Sequence, residues 1–114
     1  MSECLFCKIV NGDIPARAVY DGTHVFGFED INPQAPFHIL LVPKTHVARM
    51  SELSEKDGAM LAELFTAARE VAEKNGFLES GYRAVLNEGP DSGQEVFHLH
   101  MHVLAGRRLH WPPG

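Results

Sequence analysis

Three histidines, His98, His100 and His102, alternate with apolar residues near the end of the chain. A period of two predicts a strand over residues 96–104, with alternate side chains on one face. The other face would then turn four apolar side chains toward a core: Phe97, Leu99, Met101 and Val103. Neighbouring imidazoles would lie about 7 Å apart, so one could attack a phosphorus atom while the next holds an oxygen. The alternative is three hydrogen-bonded histidines on a polar sheet face.

Two cysteines, Cys4 and Cys7, form a Cys-x-x-Cys pair close to the start of the chain. Two thiolates at this spacing suit tetrahedral zinc, provided that two further ligands such as histidines complete the set. A structural disulfide is not expected in a reducing compartment. From the spacing alone, a zinc half-site, a pair of buried free thiols and a redox pair all stay open.

The segment before the histidines, residues 88–94, is a glycine-containing loop. Gly89 and Gly93 permit positive φ, so successive backbone amides there could form a concavity that binds an anion. An ordinary hairpin loop is the alternative. The position directly before three histidines favours the phosphate-binding interpretation.

The elements that must position these residues indicate an α+β fold. A short helix is expected over residues 3–10, ended by Asn11 and Gly12. Ser54 is the candidate N-cap of a longer helix that ends at Asn75 and Gly76, with apolar residues at helical spacing between: Met60, Leu61, Leu64, Phe65, Ala68, Val71 and Ala72. Strands are expected at 19–20, 24–29, 37–42 and 82–87, besides the histidine strand. Because only one sizeable crossover helix is present, the sheet should be antiparallel.

Composition bounds the class of protein. The chain has 114 residues, which fits a single domain over 1–114, and a net charge of −5 argues against nucleic acid as a partner. A mononucleotide is still possible, since backbone amides and histidines can hold a phosphate. There is no apolar run of membrane-spanning length, and the first residues do not form a secretory signal, so a cytoplasmic location is expected.

Residues 98–104 read His-φ-His-φ-His-φ-φ, where φ is apolar, and this pattern resembles the signature of the histidine triad (HIT) family. Residues 30–38, 82–89 and 93–94 are also similar, so the resemblance covers essentially the whole chain. The ending, residues 109–114, resembles the Hint branch. The uridylyltransferase branch has glutamine in place of the last triad histidine, and this chain keeps His102, which points to a hydrolase.

The resemblance implies a HIT-like α+β fold: a five-stranded antiparallel sheet, one main helix and a short N-terminal helix. It implies a homodimer whose sheets join, with the tail, residues 106–114, packed at the interface. It implies hydrolysis of purine nucleoside 5′-phosphoramidates to a nucleoside monophosphate, typically AMP, and an amine, with no organic cofactor. A diadenosine polyphosphate hydrolase is disfavoured by the Trp-Pro-Pro-Gly tail. The alternative is a nucleotide- and zinc-binding interaction protein with incidental turnover.

Residue roles also follow from the resemblance. His100 would be the nucleophile, forming a nucleotidyl-histidine, His102 would hold a phosphate oxygen, and His98 and His38 would form a supporting shell. Asp30 would accept from the ribose hydroxyls, with a loop cap as the alternative role. The base would lie among Phe6, Phe28, Ile31 and Leu40, for which plain core is the alternative. The remaining nucleotide contacts would come from Asn87, Gly93, Gln94, Glu95, Val96 and Trp111.

Two further expectations concern charge and metal. Glu95 stands where the best-known eukaryotic members carry serine, so its carboxylate would either bind a cationic amine or turn to solvent. A subset of the family resembles this chain in a Cys-x-x-Cys pair and a histidine after Pro-Lys. That subset implies a structural zinc ion held by Cys4, Cys7, His46 and His98, a role that conflicts with proton transfer by His98.

Overall fold

The computed structural model describes residues 4–114, which form one antiparallel sheet with helices on both faces. The helices are α1 (Leu5–Val10) and α2 (Gly58–Lys74). The strands are β1 (Ala18–Asp21), β2 (Val25–Glu29), β3 (Phe37–Pro43), β4 (Tyr82–Leu86) and β5 (Met101–Ala105), in the spatial order β1-β2-β3-β5-β4. The predicted α+β fold, with five antiparallel strands and one main helix in the described residues, is confirmed. No helix within residues 4–114 combines the length and apolar character needed to cross a membrane.

The short N-terminal helix forms where it was expected, although its predicted first residue, Glu3, lies outside the described residues. Cys4 is its N-cap, because the backbone N–H of Cys7 donates to the Cys4 Sγ at 3.4 Å. Asn11 ends the helix, and Gly12 follows with φ +84°, a conformation that glycine adopts without steric cost. The same turn of chain therefore places both thiols on one side of α1.

The larger core lies between α2 and one face of the sheet. Its members are Val25, Ile39, Leu41, Leu64, Ala67, Ala68, Val71, Met101 and Val103.

Two details of the main helix differ from the sequence prediction. Ser54 caps a 3₁₀ turn, Glu55–Asp57, through a capping box, and α2 begins only after that turn. Phe65 is 57% exposed, because it lies one residue, about 100° of helix rotation, from the buried Leu64.

The opposite face of the sheet carries α1 and a smaller core. Phe6 and Ile9 of α1 pack on Phe28 of β2 and on Leu40 and Val42 of β3. Alternation along β3 explains the division, since Leu40 and Val42 point to this face while Leu41 points to the other. His38, which shares the face of Leu40, is thereby brought beneath α1.

The predicted histidine strand over residues 96–104 is only partly correct. β5 begins at Met101, and residues 96–100 are irregular. The backbone N–H of Leu99 donates to the Val47 carbonyl, outside the β3 ladder, at 2.6 Å, which takes the chain away from the sheet. As a consequence Phe97, predicted to be in the core, is 49% exposed, whereas Leu99 and Met101 are buried as predicted.

Candidate active site

A cavity of about 560 Å³ opens on the sheet face that carries α1. Its wall combines apolar side chains of the smaller core with histidines at the start of β5 and on β3. Twenty residues line it: Leu5, Phe6, Ile9, Ile14, Pro15, Ala16, Phe28, Glu29, Asp30, Ile31, Asn32, Gln34, His38, Leu40, Asn87, Gly93, Glu95, Val96, His100 and His102. The predicted nucleotide-contacting residues thus converge on one cavity, with the exception of Gln94 and Trp111.

His100 presents one ring nitrogen with a free electron pair. Its Nδ1 lies 2.8 Å from the backbone oxygen of His98, and a carbonyl can only accept, so Nδ1 carries the proton. In the neutral ring Nε2 is then unprotonated. The edge-on ring of Phe6, with centroids 5.1 Å apart, and the half-buried ring of His102, at 5.0 Å, hold the imidazole in place. The rings of His100 and His102 are thus closer than the about 7 Å between alternate residues of an extended strand.

His102 is oriented by a chain of hydrogen bonds through His38. The backbone N–H of Gln34 donates to His38 Nδ1 at 3.0 Å, which leaves the proton of a neutral His38 on Nε2. That Nε2–H donates to His102 Nδ1 at 2.9 Å, so a neutral His102 carries its own proton on Nε2. The backbone N–H of Gln34 therefore determines which nitrogen carries the proton in His38 and, through His38, in His102.

Burial keeps these two imidazoles neutral. It lowers the pKa of His38, against the opposing effect of the nearby Asp30 carboxylate. Burial, followed by the neighbouring His100 and His38, lowers the pKa of His102 to about 4 against the opposing effect of Asp30. At neutral pH each ring consequently has one donor and one acceptor, as the hydrogen-bond chain requires.

Asp30 caps its loop and also lines the cavity. Its Oδ1 accepts from the backbone N–H of Asn32 at 2.8 Å, which caps the loop, while its Oδ2 lies 3.4 Å from His38 Nε2 and lines the cavity. Phe6, Phe28 and Leu40 are likewise both core and cavity wall, whereas Ile31 at the rim is 99% exposed.

Two predicted nucleotide residues lie elsewhere. Gln94 is buried beneath the glycine loop, where its Oε1 accepts from the backbone N–H of Gly89 and its Nε2 donates to the carbonyls of Ala48 and Val96. It therefore shapes the loop and does not line the cavity. Trp111 is 80% exposed and also lies outside the cavity lining.

Four side chains that could hold a metal ion meet beside the cavity. The ligand atoms of Cys4, Cys7, His46 and His98 all lie within 4.8 Å of one another. His98 Nδ1 is 3.3 Å from Cys4 Sγ and 3.6 Å from Cys7 Sγ, and His46 Nδ1 is 3.4 Å from Cys7 Sγ. A tetrahedron with zinc–ligand bonds of normal length has edges of about 3.3 to 3.8 Å. The spacing of this cluster, which we call the Cys₂His₂ cluster, fits zinc.

The proton on His98 also suits a metal ligand. Its Nε2–H donates to the Pro43 carbonyl at 2.8 Å, so the electron pair of a neutral ring lies on Nδ1, which faces the thiols. Burial, followed by the adjacent Cys4, raises the pKa of Cys7, because two neighbouring thiolates repel each other. A divalent cation among the four ligands would remove that repulsion. His98 does not line the cavity, and its hydrogen bond with His100 comes from its backbone carbonyl.

Sequence reasoning missed two groups that determine the protonated nitrogens, the backbone N–H of Gln34 and the carbonyl of Pro43. Neither is a side-chain motif, and a backbone group has no residue-type signal.

A second open cavity of about 660 Å³ adjoins the Cys₂His₂ cluster, and Glu95 and Val96 belong to the walls of both cavities.

Comparisons with known proteins agree with these features. The family model described as HIT domain matches residues 11–109. A HIT family hydrolase from Legionella pneumophila Philadelphia 1 has a similar structure, with a TM-score of 0.96, 45% identity and coverage of 98% of this chain and 100% of that one. A 14 kDa zinc-binding protein from Zea mays is 44% identical over 115 residues, which are 99% of this chain and 89% of that protein. A histidine triad nucleotide-binding protein from Candida albicans shows a TM-score of 0.83, 27% identity and coverage of 96% and 83%.

Proposed function

This chain belongs to the HIT domain family, and on that premise we propose that it hydrolyses purine nucleoside 5′-phosphoramidates to a nucleoside monophosphate, such as AMP, and an amine. The observation that carries the proposal is the pair of complementary ring nitrogens in one cavity. His100 offers an unprotonated Nε2, and His102 offers an Nε2–H. A phosphoryl group needs both a nucleophile and a donor to its oxygens. The names of the Legionella and Candida relatives, a hydrolase and a nucleotide-binding protein, support the same assignment.

The reaction would proceed in two displacements at phosphorus. In the first, His100 Nε2 forms a bond to phosphorus, the bond to the amine nitrogen breaks, and the amine leaves with a proton from water. The His98 carbonyl, which accepts from His100 Nδ1–H, stabilises the positive charge that develops on the ring. His102 Nε2–H holds a phosphate oxygen. In the second, water attacks phosphorus, the bond to His100 breaks with its electron pair returning to Nε2, and the monophosphate is released. The proton that this water loses neutralises the hydroxide left when the amine was protonated.

The remainder of the cavity would hold the nucleoside. Asp30 Oδ2, which lies 3.4 Å from His38 Nε2, would accept from ribose hydroxyls, since Oδ1 is engaged with the loop. The base would lie against Phe6, Phe28 and Leu40, whose apolar surface faces the cavity. Glu95 at the shared wall of the two cavities would favour a leaving group with positive charge over an anionic one.

The Cys₂His₂ cluster would hold a structural zinc ion. When bound, zinc would cross-link the chain and supply no reaction chemistry, because four protein ligands fill a tetrahedral site. The ligands come from α1, from the segment after β3 and from the segment before β5, so the ion would join three parts of the chain that are distant in sequence. The name of the maize relative, a zinc-binding protein, supports this site.

Release of AMP from adenosine 5′-phosphoramidate tests the proposal. We expect His100→Ala to lower kcat by at least about 1,000-fold and to retain AMP binding. His24→Ala, which removes an exposed histidine outside this cavity, is the matched control and should stay active. An alkaline quench of the wild type followed by intact-mass measurement should detect the nucleotidyl adduct, and it should be absent from His100→Ala.

Two other results would change the proposed function or its nucleophile. A folded wild-type protein that binds AMP and releases none from the phosphoramidate would reject the hydrolase and favour the nucleotide- and zinc-binding interaction protein. Turnover that survives His100→Ala would keep the activity and reject His100 as its nucleophile.

A further inference from the structure

Helix α1 belongs to both sites at once. Cys4 and Cys7, which flank Phe6 in the chain, are members of the Cys₂His₂ cluster. Phe6 itself is 5% exposed and lines the cavity, with its ring edge-on to His100 at a centroid distance of 5.1 Å and to His98 at 5.9 Å. A metal ion that holds the two thiols therefore also determines where the Phe6 ring lies against the nucleophile.

His98 makes a second connection between the two sites. Its Nδ1 faces the thiols, its Nε2–H is held by the Pro43 carbonyl, and its own backbone oxygen accepts from His100 Nδ1–H. One residue thus contributes its ring to the cluster and its carbonyl to the nitrogen that determines the tautomer of His100. Residues 96–100 are not part of the sheet ladder, so that ladder does not fix the position of this carbonyl.

The attachment of α1 to the rest of the fold makes this link effective. A helix of six residues is not stable by itself in water. Within the described residues, the hydrogen-bonded contacts between α1 with its N-cap and distant parts of the chain all involve Cys4 or Cys7, with His46 and His98 as partners. The other attachment is apolar packing of Phe6 and Ile9. Loss of the metal would leave α1, on the cavity wall, with the apolar packing and the thiol–imidazole hydrogen bonds in place of four metal–ligand bonds.

We propose that the Cys₂His₂ cluster and the nucleotide cavity are energetically coupled, with Phe6 as the positioning residue that transmits the coupling. Zinc binding strengthens nucleotide binding, and a nucleotide strengthens zinc binding by the same factor, since linkage between two binding sites is reciprocal. This inference rests on the proposed function, because it uses a purine nucleotide as the occupant of the cavity. It also gives the structural metal an influence on catalysis without any contact to the substrate.

The test measures zinc affinity by competition with a chromogenic chelator, in the presence and absence of saturating AMP. We expect AMP to tighten zinc binding by at least about fivefold, and zinc to tighten AMP binding equally. Phe6→Leu keeps all four metal ligands. It should bring both fold-changes in affinity, that of zinc caused by AMP and that of AMP caused by zinc, close to one. Lys8→Ala is the matched control, because Lys8 lies on the same helix and does not line either cavity.

The outcomes separate this proposal from the function on which it rests. If AMP does not bind to the zinc-loaded protein, the proposed function fails. If AMP and zinc both bind but neither changes the affinity of the other, the coupling is rejected and the function stands; a chain that binds no zinc also rejects it. If chelation unfolds the chain, AMP would tighten zinc through folding alone, and that effect would persist in Phe6→Leu and overturn the role of Phe6. Imidazole ¹⁵N spectra of the zinc-loaded protein supply a second measurement, since Phe6→Leu should shift the His100 signals while Lys8→Ala does not.

Discussion

The three triad histidines differ in which ring nitrogen carries the proton, because each ring has a different hydrogen-bond partner. His98 is bound by the Pro43 carbonyl and faces thiols, His100 is bound by the His98 carbonyl and faces the cavity, and His102 is bound by His38. In each case the partner determines which nitrogen keeps the proton and which keeps the electron pair. The protonated nitrogen of His98 and of His102 is therefore set by groups outside the motif, Pro43 and His38, and that of His100 by the backbone of the motif itself.

The neutral state of His102 makes stability depend on pH. An unfolded His102 titrates near 6.5, whereas burial lowers its pKa to about 4 in the folded chain. Between these values the unfolded chain binds more protons, so stability is complete above pH 6.5 and decreases as the pH falls toward 4. We expect a loss of about 1 kcal/mol from this residue by pH 5, after allowance for the solvent that reaches part of the ring.

Urea denaturation at pH 7.5, 6.0 and 5.0 measures this loss. His102→Gln keeps a polar side chain that does not titrate, so its stability should fall less steeply over the same interval. Both chains share the acid sensitivity of the Cys₂His₂ cluster, so their difference reports His102 together with the His38 ring hydrogen-bonded to it. Parallel curves for the two chains would contradict the lowered pKa.

At the scale of elements, apolar periodicity was sufficient for the sheet and the main helix but not for the first part of the histidine segment, residues 96–100. Leu99, Met101 and Val103 are buried in alternation, as a strand pattern predicts, yet the ladder with β3 begins only at Met101. The partner of the Leu99 N–H is Val47, 52 residues earlier, and no local pattern announces such a contact. Gln94 was misplaced for the same reason. Its amide is a residue type that can bind a nucleotide, but contacts with Gly89 and the distant Ala48 hold it beneath the loop.

The glycine loop before β5 depends on that buried amide. Gln94→Ala would leave the buried Gly89 N–H without its acceptor and would remove the donor from two carbonyls, so we expect a loss of about 2 kcal/mol in the free energy of unfolding. Asp91→Ala, at an exposed position of the same loop, is the control and should change it by less than about 0.5 kcal/mol. Urea denaturation measures both. A Gln94→Ala chain as stable as the control would show that water replaces the amide without cost.

At the scale of the whole molecule, the sheet is open at both edges within residues 4–114. β1 has an irregular register between Ala18 and Tyr20, whereas β4 pairs in regular register with β5 and presents its outer edge unpaired. An unpaired regular edge is a template for another strand. A second copy of the chain is the partner that suits it, since a two-fold axis brings the same strand together from both copies. We therefore propose that the chain forms a homodimer through β4, with one continuous sheet.

The tail provides the last prediction, because its large apolar side chain, Trp111, is mostly uncovered within residues 4–114. Trp111 is 80% exposed, more than any other large apolar side chain of the described residues except Ile31, and an indole at a subunit interface buries a large apolar area. Sedimentation equilibrium should give twice the chain mass for the wild type at micromolar concentration. Trp111→Ala, and a chain ending at Arg108, should each raise the dimer Kd about tenfold or more. Leu78→Ala is the control, since it removes a partly exposed apolar side chain from another segment and should leave the Kd unchanged. A monomeric wild type at these concentrations would reject the dimer. A dimer that tolerates loss of the tail would retain pairing through β4 and exclude Trp111 from the interface.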